Sequence, residues 1–385
     1  TRGVENIFPS REELKKVLMS GKRLKLYCGY DPTAKSLHVG NAISINKLGQ
    51  FQKLGHEVIF LIGDFTGMIG DPTDKSAARK KLTRKEALEN SQNYQKQASG
   101  YLKFDGENAA KVLHNSEWSD KLTFKDLIEL ASNFTAQQML QREMFKKRLE
   151  EEKPIYLHEF LYPLAQGYDS VAMDVDLEVG GNDQTFNMLA GRDLIKAVKG
   201  KEKFVMTVKL LADETGKKMG KTEGNVVNLD ETPENMFGQV MAWSDGLINP
   251  GFELCTNMPM EEITKLDAKT NPRDAKIRLA LEITKINHGE KAAQGAQENF
   301  INIFSQKKTP IEIKEFKVDK PEIKLTEVLV GSGNAKSLGD ARRKIEQGGV
   351  ELNGEKITDW KIILNSQNND AVLKVGKFGF VKIKF

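Results

Sequence analysis

The chain has 385 residues, 39% of them hydrophobic, 29% charged and 8% aromatic, a composition that excludes disordered, collagen-like and disulfide-scaffold proteins and a length that predicts two or three domains. Net charge is only +4, and residues 323–385 carry the excess, with 11 Lys plus Arg against 7 Asp plus Glu; alone, that is as much a solvated surface as a nucleic-acid face. The most apolar runs, Val58–Ile62 and Ile362–Leu364, fall far short of the roughly 18 residues of a membrane span, and Cys28 and Cys255 lack zinc or disulfide spacing, which predicts a reducing, cytoplasmic setting with no membrane and no metal site.

Arg23–Gly29 reads as a strand, a helix follows over about Val39–Leu54, and Glu57–Ile62 is a second apolar, β-rich run. Strand, helix and strand predict a βαβ unit and hence a parallel sheet. Between Arg84 and Phe104, the residues Ala87, Ser91, Tyr94, Ala98 and Tyr101 recur at helical spacing. Phe186, Leu189, Asp193 and Ala197 set the expected register of another helix. Residues 1–225 are thus expected to form an α/β, Rossmann-like parallel-sheet domain. From Thr232 to Phe304 helix formers dominate, as in Asp274–Lys285 and Gly289–Ile303, so residues 226–305 read as a helical domain. Gln306–Pro321, with five lysines and two prolines, reads as part of a linker over residues 306–322. A small α+β domain over residues 323–385 completes the chain. In it Leu338–Gln347 is a basic helix stopped by Gly348-Gly349, and Asn353-Gly354 turns a hairpin from Val350-Glu351-Leu352 into Lys356-Ile357.

Three patterns carry chemistry. Tyr27-Cys28-Gly29-Tyr30-Asp31-Pro32-Thr33 runs from a strand end into Ser36-Leu37-His38-Val39-Gly40-Asn41 at a helix start. Small residues and a helix N-terminus at the carboxyl edge of a strand suit a phosphate. Gly40 would admit a purine or ribose and His38 can donate to phosphate oxygens, although a helix-capping histidine gives the same spacing. Gly216-Lys217-Lys218-Met219-Gly220-Lys221-Thr222 follows the apolar run Phe204–Leu211. Lys218 and Lys221 on such a loop suit a triphosphate and the departure of pyrophosphate; a solvated basic loop fits equally if nothing else is present. A G-x-x-x-x-G-K-T phosphate loop fails, since Thr215 sits where glycine is needed. Tyr162, Gln166 and Asp169, four and three residues apart, share one helix face, and Pro163 marks a helix start or a kink.

An H-x-G-x helix start followed, at the end of the α/β region, by a K-M-x-K-T loop resembles the class I aminoacyl-tRNA synthetases. The resemblance to tyrosyl-tRNA synthetases goes further: Tyr27 to Ala34, the run Gly63-Asp64-Phe65-Thr66-Gly67-Met68-Ile69-Gly70-Asp71-Pro72, Tyr162 through Gln166 to Tyr168-Asp169, and Gly180-Gly181-Asn182-Asp183-Gln184. These segments cover nearly the whole catalytic half. The resemblance implies ATP-dependent activation of tyrosine as an adenylate and its transfer to tRNA(Tyr), with ATP a substrate accompanied by Mg2+ and no prosthetic group. It implies that Asp169 and Tyr27 meet the phenol hydroxyl, that Asp71, Tyr162 and Gln166 hold the α-amino group, and that Gln184 lies near the reacting carboxylate. Cys28 and Asp183 would face the ATP ribose, with Gly29, Asp31, Gly40 and Asn41 completing the ATP site. Thr33, His38, Lys218 and Lys221 would contact phosphates, joined by Lys75 and Arg79.

Two departures stand out: Asn41 replaces a frequent second histidine, and Met219-Gly220 replaces the usual M-S. Ser337–Val350 and Asn353-Gly354 resemble the S-four-like RNA-binding domain of bacterial tyrosyl enzymes, implying that Arg342, Arg343 and Lys344 meet tRNA. An anticodon-binding role for residues 226–305 and a homodimer formed through about Leu122–Tyr162 are implied in the same way. Three rivals remain. A tryptophanyl-tRNA synthetase is opposed by Tyr27, Asp169 and the tail; a catalytically silent RNA-binding paralogue is kept open by Asn41; and a small-molecule nucleotidyl-transferring ligase would have little use for the tail.

Overall fold

The computed structural model describes residues 2–72, 82–212, 226–266, 268, 270–306, 315–335, 337–376 and 379–385. They fall into two compact units, Thr1–Ala293 and Gln294–Phe385. The first contains a six-stranded sheet built from β1 (Val4–Phe8), β2 (Lys25–Tyr30), β3 (Glu57–Ile62), β4 (Lys111–His114), β5 (Leu177–Gly181) and β6 (Phe204–Val208), in the order β1-β6-β5-β2-β3-β4. All neighbours are parallel except β1, which runs antiparallel to β6 and was not foreseen from sequence. Val58 to Ile62 are all buried, as a parallel strand covered on both faces requires. The expected βαβ unit is present, with helix Val39–Lys53 as its crossover. The alternating α/β reading and the Rossmann-like class hold.

The five positions from Ala87 to Tyr101 are all buried; the first four lie on two helices, Arg84–Ser91 and Tyr94–Ala98, and Tyr101 lies in the turn that follows. The helix Thr185–Lys199 corrects the expected register: it buries Asn187, Met188, Ala190, Gly191, Leu194 and Ile195, while Asp193 and Ala197 are exposed. Its buried stripe is carried partly by small residues, because it packs closely on helix Leu161–Met173. A Cβ at Gly167 would stand 3.3 Å from the Cα of Gly191, so the contact selects glycine where a search for large apolar side chains looks past it. Helices Pro233–Met241, Ile248–Cys255, Met260–Lys265, Pro272–His288 and Glu290–Gln306 account for the helical stretch expected after the sheet.

In the second unit, β7 (Glu315–Lys317), β8 (Glu322–Lys324), β9 (Val350–Leu352), β10 (Glu355–Ile357), β11 (Ile363–Asn365), β12 (Val372–Val375) and β13 (Gly379–Lys384) form a five-stranded sheet, β10-β9-β12-β13-β7, and a pair, β11-β8. The basic helix lies at Leu338–Glu346 and the Asn353-Gly354 hairpin joins β9 to β10. Both follow the sequence reading. The linker does not extend to residue 322: β7 pairs in parallel with β13, and Phe316 and Val318 pack on the core of Leu325, Leu329, Ile345, Leu373 and Ile383. Alternation of those apolar residues with lysine and glutamate is a strand signal hidden by the lysine-rich composition. Among the described residues no helix is long and apolar enough to cross a membrane.

A charge cluster secures the β3 and β4 ends. Asp64 is buried; it accepts hydrogen bonds from the Ser116 amide (3.1 Å) and hydroxyl (2.7 Å), and Arg84 Nη1 and His114 Nδ1 stand 3.1 and 3.4 Å from its Oδ2. Burial opposes the charge, but His114 and Ser116 outweigh it and hold the carboxyl at about 2. In turn Asp64 raises the pKa of His114. The Asp64 contribution to stability is present above its unfolded pKa of about 4 and is lost as pH falls through the folded value. The His114 contribution has the opposite sign: complete below about 6.5, it disappears as pH rises through the raised folded pKa. His114→Gln is therefore expected to lower the urea midpoint most near pH 6 and least near pH 9; a pH-independent gap between variant and wild type would show that this pair does not stabilise the fold.

Candidate active site

β2 and β5 share only two paired positions, Leu26 with Leu177 and Tyr27 with Glu178. β2 stays paired with β3 as far as Tyr30 and β5 with β6 as far as Gly181. The sheet therefore opens beyond Tyr27 and Glu178, at the point where its strand order reverses and at the carboxyl ends of the parallel strands. Open α/β sheets bind their ligands in that crevice.

Helix Leu161–Met173 brings Tyr162, Gln166 and Asp169 to this region on one face, with Pro163 tolerated in its first turn. Asp169 is 2% exposed; its Oδ1 accepts from Trp118 Nε1 at 2.7 Å and its Oδ2 from Asn115 Nδ2 at 3.3 Å. Burial drives its carboxyl well above the usual range despite those two donors, and the negative charges of Glu178 and Asp31 add to the rise. The Tyr27 hydroxyl, 3.0 Å from Ser170 Oγ, is likewise pushed up by burial and then by Glu178 and Asp169. It keeps its proton and can act as a donor.

Beyond them, Tyr162 donates to Asp31 Oδ2 at 2.8 Å and Thr66 to Asp31 Oδ1 at 2.6 Å. Gly63 is required here, since a Cβ would lie 2.0 Å from Asp31 Oδ1. Gln184 Nε2 donates to Asp71 Oδ2 at 2.6 Å, and the buried Arg142 approaches Asp71 Oδ1 at 3.7 Å. Gln166 Nε2 donates to Glu178 Oε1 at 2.9 Å. Asp31, read from the motif as an ATP contact, is thus tied to the same cluster as Tyr162.

At the helix start, His38 is the N-cap: its Nδ1 accepts from the Asn41 amide at 3.3 Å, and Asn41 Oδ1 accepts from the His38 amide at 3.1 Å. The capping reading of the histidine is realised, and Asn41 is the reciprocal member of the cap. A Cβ on Gly40 would meet the His38 ring at 3.0 Å. The segment after the lysine-rich motif re-enters beside this cap, with the Val39 amide donating to Val227 O and the Leu229 amide to Leu37 O, both at 2.9 Å. Cys28 is buried, and burial pushes its thiol up to about 11, so the neutral thiol is favoured. Gly29 and Thr33 are exposed at the strand end, and Asp183 is exposed on the Asn182–Gln184 turn. Lys75, Arg79, Lys218 and Lys221 lie outside the described residues.

Sequence reasoning missed Asn115, Trp118, Arg142, Ser170, Glu178 and Lys203. Glu178 carried the clearest signal, a lone carboxylate in the otherwise apolar run Leu177 to Val179. In the second unit Arg342 lies over Trp360, with its Cζ 4.4 Å from the ring centre, and pairs with Glu346. Arg343 and Lys344 both pair with Asp340.

A family profile described as "tRNA synthetases class I (W and Y)" matches residues 19–305, and one described as "Tyrosine--tRNA ligase SYY-like C-terminal domain" matches residues 306–378. A tyrosine-tRNA ligase of Carboxydothermus hydrogenoformans is 46% identical over 398 residues, covering 100% of this chain and 96% of that protein. One from Haemophilus ducreyi is 45% identical over 387 residues, covering 99% and 96%. Among solved structures, a C-terminally truncated mitochondrial tyrosyl-tRNA synthetase of Coccidioides posadasii aligns with a TM-score of 0.63 at 25% identity, over 77% of this chain and 89% of that one.

Proposed function

The chain belongs to the class I tRNA synthetases of the tryptophan and tyrosine family, and from that membership we propose how its residues divide the work of a tyrosine-tRNA ligase. The enzyme activates tyrosine with ATP to tyrosyl-adenylate and pyrophosphate, then transfers tyrosine to the terminal adenosine of its tRNA. The observation that carries the tyrosine reading is Asp169, a buried carboxyl with a hydroxyl donor, Tyr27, in its electrostatic reach. A phenol both donates and accepts, so it satisfies both groups. Phenylalanine would strand them, a form of rejection for which tyrosyl enzymes are the standard example. The tyrosine-type C-terminal match favours this reading over the tryptophan branch.

Asp71, Tyr162 and Gln166 hold the α-ammonium group in this scheme, and Gln184, fixed on Asp71, lies near the reacting carboxylate. A carboxylate oxygen attacks the α-phosphorus of ATP, the bond to the β-phosphate bridging oxygen breaks, and pyrophosphate departs. His38, Thr33, Lys75, Arg79, Lys218 and Lys221 stabilise the phosphate charge, and Mg2+ enters with ATP. Cys28, Gly29, Asp31, Gly40, Asn41 and Asp183 shape the adenosine site. A hydroxyl of the tRNA terminal adenosine then attacks the adenylate carbonyl carbon and AMP leaves. None of this needs a protein nucleophile; the gain comes from alignment and electrostatic stabilisation.

The remaining assignments follow the family. Residues 226–305 bind the anticodon region, Arg342, Arg343 and Lys344 contact the tRNA backbone, and the protein works in the cytoplasm. It acts as a homodimer through the Leu122–Tyr162 stretch. There Phe124 and Leu157 are 78% and 82% exposed, which is costly for large apolar side chains on a lone subunit.

Tyrosine-dependent exchange of labelled pyrophosphate into ATP is expected from the wild type, with phenylalanine and tryptophan inactive. Asp169→Asn should lower kcat/KM for tyrosine by about a hundredfold with the melting temperature little changed, from loss of the buried carboxyl partner of the phenol hydroxyl. Wild-type kinetics in that variant would refute its role. Arg342→Ala/Arg343→Ala should leave exchange intact while weakening tRNA charging and flattening its salt dependence; equal loss of both activities would assign the helix to the fold. Phe124→Glu/Leu157→Glu should shift sedimentation from dimer to monomer, and a wild type already monomeric at micromolar concentration would exclude this interface.

A further inference from the structure

Beneath the crevice lies an ion pair that the proposed mechanism does not use. Lys203 is 0% and Glu178 2% exposed, and their side chains are joined through Lys203 Nζ and Glu178 Oε2. Isolated charges at such depth are costly, so each needs its remaining hydrogen-bonding capacity filled. What fills it is informative. Glu178 Oε1 takes the amide of Gln166 at 2.9 Å, and Lys203 Nζ donates to Ser170 Oγ at 2.8 Å. Ser170 Oγ is in turn 3.0 Å from the Tyr27 hydroxyl. One pair therefore touches both ends of the proposed tyrosine pocket.

We propose that the Glu178–Lys203 pair is a positioning element that sets the donor and acceptor polarity of the pocket through Gln166 at one end and Ser170–Tyr27 at the other. The proposal rests on the tyrosine-pocket reading above and deepens it. A carboxylate can only accept, so Glu178 must face the NH2 of Gln166. That turns the amide oxygen away from Glu178, as an acceptor suited to an ammonium group. At the other end, Lys203 can only donate and occupies a lone pair of Ser170. The Ser170 proton then has two acceptors in view, Tyr27 Oη at 3.0 Å and Glu178 Oε2 at 3.5 Å, and the nearer is Tyr27. Accepting from Ser170 leaves the Tyr27 proton to turn between the Glu178 carboxylate, which it also meets, and the phenol oxygen of a bound tyrosine, while Asp169 accepts a hydrogen bond from the phenol. The pair's opposite charges cancel, so this ordering adds no net charge beneath the pocket. Gly191 leaves the room for it: a Cβ there would fall 2.7 Å from Lys203 Nζ and 3.1 Å from Ser170 Oγ.

The test is pyrophosphate exchange by the full-length protein carrying Glu178→Gln/Lys203→Gln, which keeps volume and hydrogen-bonding capacity but lets either amide point either way. KM for tyrosine should rise about tenfold while kcat stays within about twofold and KM for ATP does not move. Ser170→Ala, which leaves the ion pair intact, should lower the tyrosine-over-phenylalanine ratio of kcat/KM by about three- to tenfold. It decides the question alone if the double variant does not fold. Unchanged KM for tyrosine with an unchanged selectivity ratio would overturn the proposal, as would parallel rises in KM for tyrosine and ATP, the mark of general loosening. Absence of tyrosine-dependent exchange in the wild type would instead overturn the pocket reading, and the inference with it.

Discussion

Everything at the candidate site depends on where two strands stop pairing. β2 and β5 are held together up to Tyr27 and Glu178 and no further, and the opening that follows is the space in which a substrate can lie. Helix Leu161–Met173 is packed tightly on helix Thr185–Lys199 by the glycine contact between Gly167 and Gly191, and it carries Asp169 and Ser170 to the same point. A buried carboxylate and a buried ammonium meet there, at Glu178 and Lys203. Removing either one would strand the other charge, a loss of about 3–5 kcal/mol. The arrangement is worth its desolvation only while every partner is in place.

The electrostatics of the crevice follow from that burial. Asp31, Asp71, Asp169 and Glu178 concentrate negative potential in one region, and among the described residues Arg142 and Lys203 are the buried cations set against it. Hydroxyls near this cluster are held in their neutral form: Tyr27 and Tyr162 are both raised, first by burial and then by neighbouring carboxylates. Such a site favours a ligand that brings a cationic group and a hydroxyl and that tolerates fixed donors. A zwitterionic amino acid with a phenol has those features.

Much of this was legible in the sequence. The βαβ unit, the helical stretch after it and the Asn-Gly hairpin declared themselves through periodicity and turn chemistry. The shared helix face of Tyr162, Gln166 and Asp169 followed from their four-and-three spacing. The misses share a physical origin. Strand β1 joins the sheet edge by pairing with a segment two hundred positions away, for which local pattern carries no information. The Thr185–Lys199 helix hides its buried face in Gly191, Ala190 and Asn187, so size and hydropathy pointed to the wrong stripe. Lys203 stands among lysines and one glutamate at Lys199 to Phe204 and looks solvent-facing. Only the fold puts a carboxylate beside it.

The cap on helix Val39–Lys53 has an effect that reaches beyond helix stability. Because Nδ1 of His38 is occupied as an acceptor by the Asn41 amide, the neutral ring must carry its hydrogen on Nε2. A single backbone contact thus selects one tautomer of the signature imidazole. In that neutral tautomer the other ring nitrogen is a hydrogen-bond donor. Asn41, which closes the reciprocal half of the cap, maintains that tautomer as much as it maintains the start of the helix.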